Sequence, residues 1–492
     1  MNLKEISQKY FYFPVIILGF YLAIRLINES SLISIFPLDY TNDISSYLAQ
    51  LYFLKVCGFH QFCGYWYNGI TTFLYTPPAW YFFTLPIYIL TKDILFSTYF
   101  SIVLIYILSC IGFIVLAKLF KFSYIKGLAL FLLFFVSPMA IGEFLRLGRP
   151  TTMFAWLFLI PLTGIIFYYK DKRLDKYFYL SFIPLYALLI LSHYQEAVLF
   201  SILLISLFLI KSNIERIKII ISIIISFLIT SFWSIPFLLN VFRGGLMDYP
   251  QSRWLLEFKG DMFLTNFVSI VVVLIFLIVL YFNLRSNPGN YRFYIPIIIL
   301  SILFLTRLII FIPILKNIAP DPYILFFWFL SLFLIITTKF PRFWNRVISI
   351  SLIIGSILFV VISAIYTPWF TIHTSLEKDA LSLLNNVDER FIIFGGTSTS
   401  YANAYYSYAP IYLNLSSASG WYRLTTTRDY LNIIKEVYNS YNGGDCNKVK
   451  YQLKRLNVTD VLAFNEECTN LNKCGFKIYK SEGSVCLYKL GD

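Results

Sequence analysis

Long apolar runs separated by short polar stretches repeat along the first three quarters of the chain, as in FVSIVVVLIFLIVLYF (267–282) and VISISLIIGSILFVVISAIY (347–366). A run of about 20 apolar residues is what an α-helix needs to cross the hydrocarbon core of a bilayer. The pattern predicts spans near residues 94–117, 127–143, 152–169, 177–192, 197–211, 218–239, 263–284, 293–315, 322–338 and 347–366. They follow a first span in FYFPVIILGFYLAIRLI, which comes after Lys4 and Lys9. No small-residue cleavage site follows that segment, so it is expected to be retained, with the N-terminus cytoplasmic. One run breaks the series. LYTPPAWYFFTLPIYILT (74–91) has the apolarity of a span but contains Pro77, Pro78 and Pro86. Each proline removes a backbone donor, which is costly in lipid. A broken or shallow helix on the outer side is expected there, the alternative being a mis-split neighbouring span.

The polar stretches sort by charge. KLFKFSYIK (118–126), KDKRLDK (170–176), KSNIERIK (211–218), RSNPGNYR (285–292) and KFPRFWNR (339–346) are basic. Cytoplasmic loops carry such an excess of Lys and Arg. The other loops hold Asp39, Asp43, Glu143, Glu196, Asp248, Glu257, Asp261 and Asp321 and are expected outside. Six of the seven cysteines (57, 63, 446, 468, 474 and 486) and the sequons at Asn28, Asn414 and Asn457 fall on that side in this scheme. An even set of cysteines in an oxidising compartment reads as disulfides. Cys57 and Cys63 can close a small loop; the other four allow three pairings.

Past Tyr366 the pattern changes to that of a small α/β domain. RFIIFGG (390–396) and VTDVLAF (458–464) read as strands, DYLNIIKEVYNSYNGG (429–444) and CNKVKYQLKRLN (446–457) as helices, and GFKIYKSEGSVCLYKL (475–490) as a hairpin. The expected fold is thus an all-α polytopic membrane domain over residues 1–366, of about 11–13 transmembrane helices. It has a long first outer loop at 28–73 and is followed by an extracytoplasmic α/β domain at 367–492. Composition agrees: 58% of residues are hydrophobic and 13% charged, against about 25% charged in soluble domains. The net charge of +14 is spread through short loops rather than gathered into a nucleic-acid-binding patch.

Four outer stretches carry candidate chemistry. The first holds Asp39, Asp43, the aromatic run YWYNGITTFLY (65–75) and Thr76-Pro77-Pro78. Either aspartate can be a loop or cap residue, with Thr41 or Asn42 as N-cap and Asp43 in the first turn, and the aromatics suit a membrane interface. The second, SPMAIGEFLRLGRPTTMF (137–154), combines Glu143 with Arg146 and Arg149 at the end of a span. Charges at that depth are costly and point to function, and Arg can bind two phosphate oxygens at once. A local Glu143–Arg146 pair is the alternative. The third, SHYQEAVLF (192–200), places His193, Gln195 and Glu196 in a tight turn, where a polar hairpin histidine is the alternative. The fourth, RGGLMDYPQSRWLLEFKGD (243–261), carries Asp248 and Arg253, with contact to lipid headgroups as the alternative for its basic residues. Carboxylates for base work and arginines for a phosphate therefore share one side. Arg25 and Arg307 are the clearest charges inside spans.

The layout resembles the GT-C superfamily of integral-membrane glycosyltransferases, which includes oligosaccharyltransferase catalytic subunits, protein O-mannosyltransferases and aminoarabinose transferases. The segments that carry the resemblance are GYWYNGITTFLYTPP, FLRLGRPTTMFAWLFLIPL and YAPIYLNLSSASGWY. Within that group the chain looks most like the microbial membrane proteins labelled 6-pyruvoyl-tetrahydropterin-synthase-related; no histidine cluster for a pterin-synthase zinc site is present. The resemblance implies transfer of a sugar from a polyprenyl-phosphate donor to a glycan, lipid or protein acceptor at the outer face of the cell membrane. It assigns the first-loop acid to Asp43 or Asp39 and the second-loop acid to Glu143. None of these forms the D-x-D, E-x-D or D-x-E pairs common in the group, which leaves the choice of acid and the use of a divalent metal open. On this reading Asp43 or Asp39 is the base, Glu143 positions the acceptor or a metal, Arg146, Arg149 or Arg253 holds the phosphate, and His193 and Glu196 line the substrate site. A transporter or flippase of a lipid-linked substrate and a non-catalytic GT-C-like scaffold are the competing readings.

Overall fold

The computed structural model describes residues 3–38, 43–242, 251–260, 262–366, 373–395, 402–421 and 426–490. Asp39, Thr41, Asn42, Asp248 and Asp261 lie outside the described residues.

Helices dominate, because a segment in lipid must satisfy its own backbone. Among the described residues six are long and apolar enough to cross a membrane: Gln8–Ile33, Ile94–Leu119, Pro150–Tyr169, Met262–Ser286, Pro320–Thr337 and Arg342–Tyr366. Two bent pairs raise this to eight if each is one span, and four shorter apolar helices, Ala79–Thr91, Lys176–Ser192, Tyr194–Ile210 and Tyr291–Leu305, fall where the sequence places further apolar segments. The chain is a multi-pass membrane protein. Polar side chains set several helix starts. Asp93 accepts from the N–H groups of Leu95 and Phe96, Asp175 from those of Tyr177 and Phe178, and Ser212 and Glu215 form a reciprocal cap. Pro150–Tyr169 and Pro320–Thr337 are sheathed by their neighbours, whereas Arg342–Tyr366 turns most of its surface outward.

Three expected spans are altered. The stretch 127–143 is broken into Tyr124–Phe135 and Pro138–Arg146, bent by 51°. Ser137 caps the second piece through Ala140 N–H, and Pro138 occupies its first position, so the break is written as a fresh helix start. The stretch 218–239 bends by 88° between Asn213–Ile229 and Ser231–Val241. The stretch 293–315 stops being a regular helix at Leu305, and Arg307 adopts a left-handed backbone with φ 62°. The proline-rich run forms Ala79–Thr91, whose 13 residues extend about 20 Å, short of the ~30 Å core.

The C-terminal domain contains the expected strands and helices, plus helices Ser375–Leu384, Ala402–Leu413 and Glu466–Lys473 that the pattern did not announce. Its sheet has the spatial order Ser416–Ser417, Arg390–Phe394, Asp460–Phe464, Val485–Lys489, Ile478–Glu482. The first three strands run parallel and the terminal hairpin antiparallel. Cysteines pair as Cys57–Cys63, Cys446–Cys474 and Cys468–Cys486, with Cα separations of 5.6, 5.2 and 5.7 Å.

The aromatic run of the first loop is a docking tongue rather than only an interfacial belt. Phe62–Cys63 pairs with Ile70–Thr71 as a short ribbon. From it, Trp66 Nε1 donates to Tyr406 O at 2.8 Å, Tyr67 Oη to Gly420 O at 2.7 Å, and Asn68 Nδ2 to Leu456 O at 3.0 Å. Tyr65 O accepts from Ser417 N–H at 2.8 Å. Gly420 allows the approach: a Cβ there would lie 2.8 Å from Tyr67 Cε2 and 2.9 Å from Trp66 Cγ.

Candidate functional site

The site is built where the start of helix Ile44–Val56 meets the loop before helix Pro150–Tyr169. Asp43 occupies the N-cap position, but its carboxylate caps nothing; sequence reasoning placed the residue inside the first turn as a capping candidate. Its own N–H donates to Leu147 O at 2.9 Å, which stitches the two loops together. Its side chain turns to Arg149, whose Nε donates to Asp43 Oδ2 at 2.8 Å.

Glu143 reaches the same guanidinium. Arg149 Nη1 donates to Glu143 Oε1 at 2.9 Å and Oε2 at 3.0 Å. This replaces the local Glu143–Arg146 pair that helical spacing suggested. Between Gly142 and Arg146 the backbone winds wider than an α-helix, with Leu147 N–H bonding Gly142 O and Arg149 N–H bonding Phe144 O. Such i→i+5 turns shift side chains off the 3.6-residue register. Gly148 then adopts φ 62°, a left-handed conformation open to glycine, and the chain returns Arg149 to Glu143. The Glu143 side chain is 2% exposed, while those of Arg149 and Asp43 are 25% and 27% exposed. A buried carboxylate thus backs an arginine that stays accessible. Asp321 and Glu196 add negative potential at Glu143.

Asp43 faces a pocket also lined by Tyr47, Gln50, Thr76, Pro77, Thr151, His193, Tyr194 and Trp421. Thr76 Oγ1 donates to Gln50 Oε1 at 2.7 Å, and Thr151 Oγ1 to Tyr47 Oη at 3.2 Å. His193 sits in the extended break between helices Lys176–Ser192 and Tyr194–Ile210, with its ring on Glu196. Glu196 is fully buried, so it orients the ring from behind. Trp421 is the contribution of the C-terminal domain.

Of the sequence candidates, Asp43 and His193 line the pocket, with Arg149 and Glu143 joined to it through Asp43 and Glu196 through His193. Arg146 is exposed and makes no ion pair among the described residues. Arg253, in the short helical turn Gln251–Leu256, is exposed and does not line the pocket. Asp39 lies outside the described residues. Sequence reasoning did not single out Tyr47, Gln50, Thr151, Asp321 or Trp421. Thr76, Pro77, Thr151 and Trp421 lie within the stretches that carried candidate chemistry or the resemblance, and Asp321 was among the outer acids, but nothing local distinguished Tyr47 and Gln50 from core residues.

No protein-family description matches the chain, and neither does any curated protein sequence. Solved structures do. The chain is similar to the oligosaccharyltransferase AglB from Archaeoglobus fulgidus in complex with an inhibitory peptide and a dolichol-phosphate, with TM-score 0.57 and 9% identity over 91% of this chain and 69% of that one. The apo form of the A. fulgidus oligosaccharyltransferase gives TM-score 0.57 and 11% identity over 92% and 69%. The arabinofuranosyltransferase AftD from Mycobacteria gives TM-score 0.59 and 11% identity over 100% of this chain and 40% of that one. At these identities the likeness is one of fold: the chain has a GT-C-like architecture.

Proposed function

We propose that the protein is a membrane glycosyltransferase that moves a sugar from a polyprenyl-phosphate-linked donor to an acceptor at the outer face of the membrane. The observation that carries this reading is the Asp43 pocket, walled by both membrane-domain loops and by Trp421 of the C-terminal domain, within a fold shared with AglB and AftD. The solved AglB complex holds a dolichol-phosphate and a peptide, which supports a lipid-phosphate donor and a separate acceptor. The closer likeness to the pterin-synthase-related membrane proteins rests on the sequence segments alone.

Sugar transfer from a lipid phosphate needs a base at the incoming hydroxyl or amide and positive charge at the leaving phosphate. Asp43 is assigned as the base. Oδ2 is held by Arg149, which leaves Oδ1 for the acceptor proton. Arg149 is assigned to the leaving phosphate. Its guanidinium has five N–H donors; Nε and Nη1 serve Asp43 and Glu143, so among the described residues the two hydrogens on Nη2 are left for a ligand. Glu143 is assigned to locking that arginine rather than to touching substrate. His193 and Trp421 also line the pocket, and an indole can pack its apolar face on a sugar ring. With the basic loops cytoplasmic, this pocket and the C-terminal domain face outward.

The test is transfer of radiolabelled sugar from a panel of polyprenyl-phosphate sugars by wild type and Asp43→Asn in parallel. General-base catalysis is worth ~10²–10⁴-fold, so the variant should lose transfer by that factor while expressing and folding normally. Equal transfer by both would move the base away from Asp43. The two bent helix pairs favour one competing reading, transport of a lipid-linked substrate, because transporters build their sites from broken helices. Donor translocation without transfer by wild type would select it.

A further inference from the structure

The Asp43, Glu143 and Arg149 cluster holds more than a phosphate contact. Three carboxylate oxygens, Asp43 Oδ2 and both oxygens of Glu143, converge on one planar cation at 2.8, 2.9 and 3.0 Å. A divalent cation held by carboxylates needs oxygens converging at about 2.0–2.6 Å on a point left free for it. Here that point is filled. Among the described residues no group of three His, Cys, Asp or Glu is arranged to hold a metal ion. The arginine's place is also enforced by the backbone, through Asp43 N–H to Leu147 O, Arg149 N–H to Phe144 O, and the left-handed Gly148.

We propose that the Arg149 guanidinium takes the structural and electrostatic place of a divalent cation between Asp43 and Glu143, as a built-in charge that makes the site independent of bound metal. The inference rests on the transferase reading for its purpose but not for its geometry. An arginine is charged at any physiological pH, cannot be chelated away, and fits carboxylates in a rigid fork. It links the proposed base and a buried anchor through one group and presents its remaining edge to the donor phosphate. The cost is that it supplies a single positive charge to a region where Asp321 and Glu196 also act on Glu143. Removal of the arginine therefore leaves a strongly negative pocket that should recruit a cation from solution.

Mn2+ alone is titrated into the full-length protein in detergent, and the free-ion paramagnetic resonance signal is read. Wild type should leave the signal undiminished through low-millimolar Mn2+. Arg149→Ala should remove Mn2+ from the signal in proportion to protein, and adding Asp43→Asn to that variant should restore it. Should Arg149→Ala fail to fold, Arg149→Gln preserves polar bulk and carries the same expectation. Loss of signal with wild type that Asp43→Asn or Glu143→Gln abolishes overturns the proposal. So does a folded Arg149→Ala or Arg149→Gln that takes up no Mn2+. The titration needs no donor and no turnover. Absence of sugar transfer would therefore defeat the proposed function alone, and Mn2+ on wild type would defeat this inference alone.

Discussion

Arg25 and Arg149 are both held by acids. Arg25 lies in helix Tyr12–Glu29, and its carboxylate partner is Glu29, one turn along the same helix at 3.8 Å, with both side chains sealed from solvent. Arg149 draws its partners from two separate stretches, 106 residues away at Asp43 and 6 away at Glu143, and keeps a quarter of its side chain exposed beside a pocket. The first pair neutralises a charge that would otherwise be buried in a span. The second fixes the relative position of two loops and leaves donor capacity over. A buried ion pair says little about function until its sequence separation and its remaining donors are counted.

The contrast makes predictions of decreasing size. Arg149→Met should break it hardest. Breaking a buried pair by removing one partner costs about 3–5 kcal/mol, and here Glu143 would be left desolvated. Melting in detergent should show a clear drop, and transfer should fall at least as far as in Asp43→Asn. An unchanged melting point would mean that the two loops are held by something else. Glu29→Gln takes the Glu29 counter-charge from the sealed Arg25, so it should also cost about 3–5 kcal/mol while leaving transfer per folded molecule unaltered; a selective loss of transfer would move Arg25 into the site. Gly420→Ala tests whether the C-terminal domain completes the pocket. The new Cβ would crowd Trp66 and Tyr67, costing about 1–3 kcal/mol as overpacking does. Because Trp421 adjoins it, transfer should weaken more than melting. Tyr67→Phe removes the bond to Gly420 O, worth about 0.5–1.5 kcal/mol, and should lower the melting point slightly with transfer retained.

The comparison also separates what a local pattern can reveal from what it cannot. The Arg25–Glu29 spacing is readable as one helical turn. The same reasoning applied to Glu143 offered Arg146 as a local alternative, whereas Arg149 is the partner, because a wide turn and a left-handed glycine intervene. The aromatic run 65–75 suggested a membrane interface, while Trp66 and Tyr67 in fact spend their polar atoms on the C-terminal domain. Helix Ala402–Leu413 escaped notice because its apolar period is weak, whereas Ser375–Leu384 buries Ala380, Leu383 and Leu384 along one face behind a Thr374–Glu377 capping box and was legible in the sequence.

By itself the sequence determined the membrane character, the positions of most apolar helices, the strand and hairpin content of the C-terminal domain, and the set of acids and arginines from which a site could be drawn. These follow from burial and backbone satisfaction, which act through neighbours within a few turns of chain. Only the tertiary structure decided the pairing of Cys446, Cys468, Cys474 and Cys486, the bend at Thr230, the docking of the first loop on Gly420, and the meeting of Asp43, Glu143 and Arg149. Those depend on groups brought together across large separations, where no period in the chain records which partner each will find.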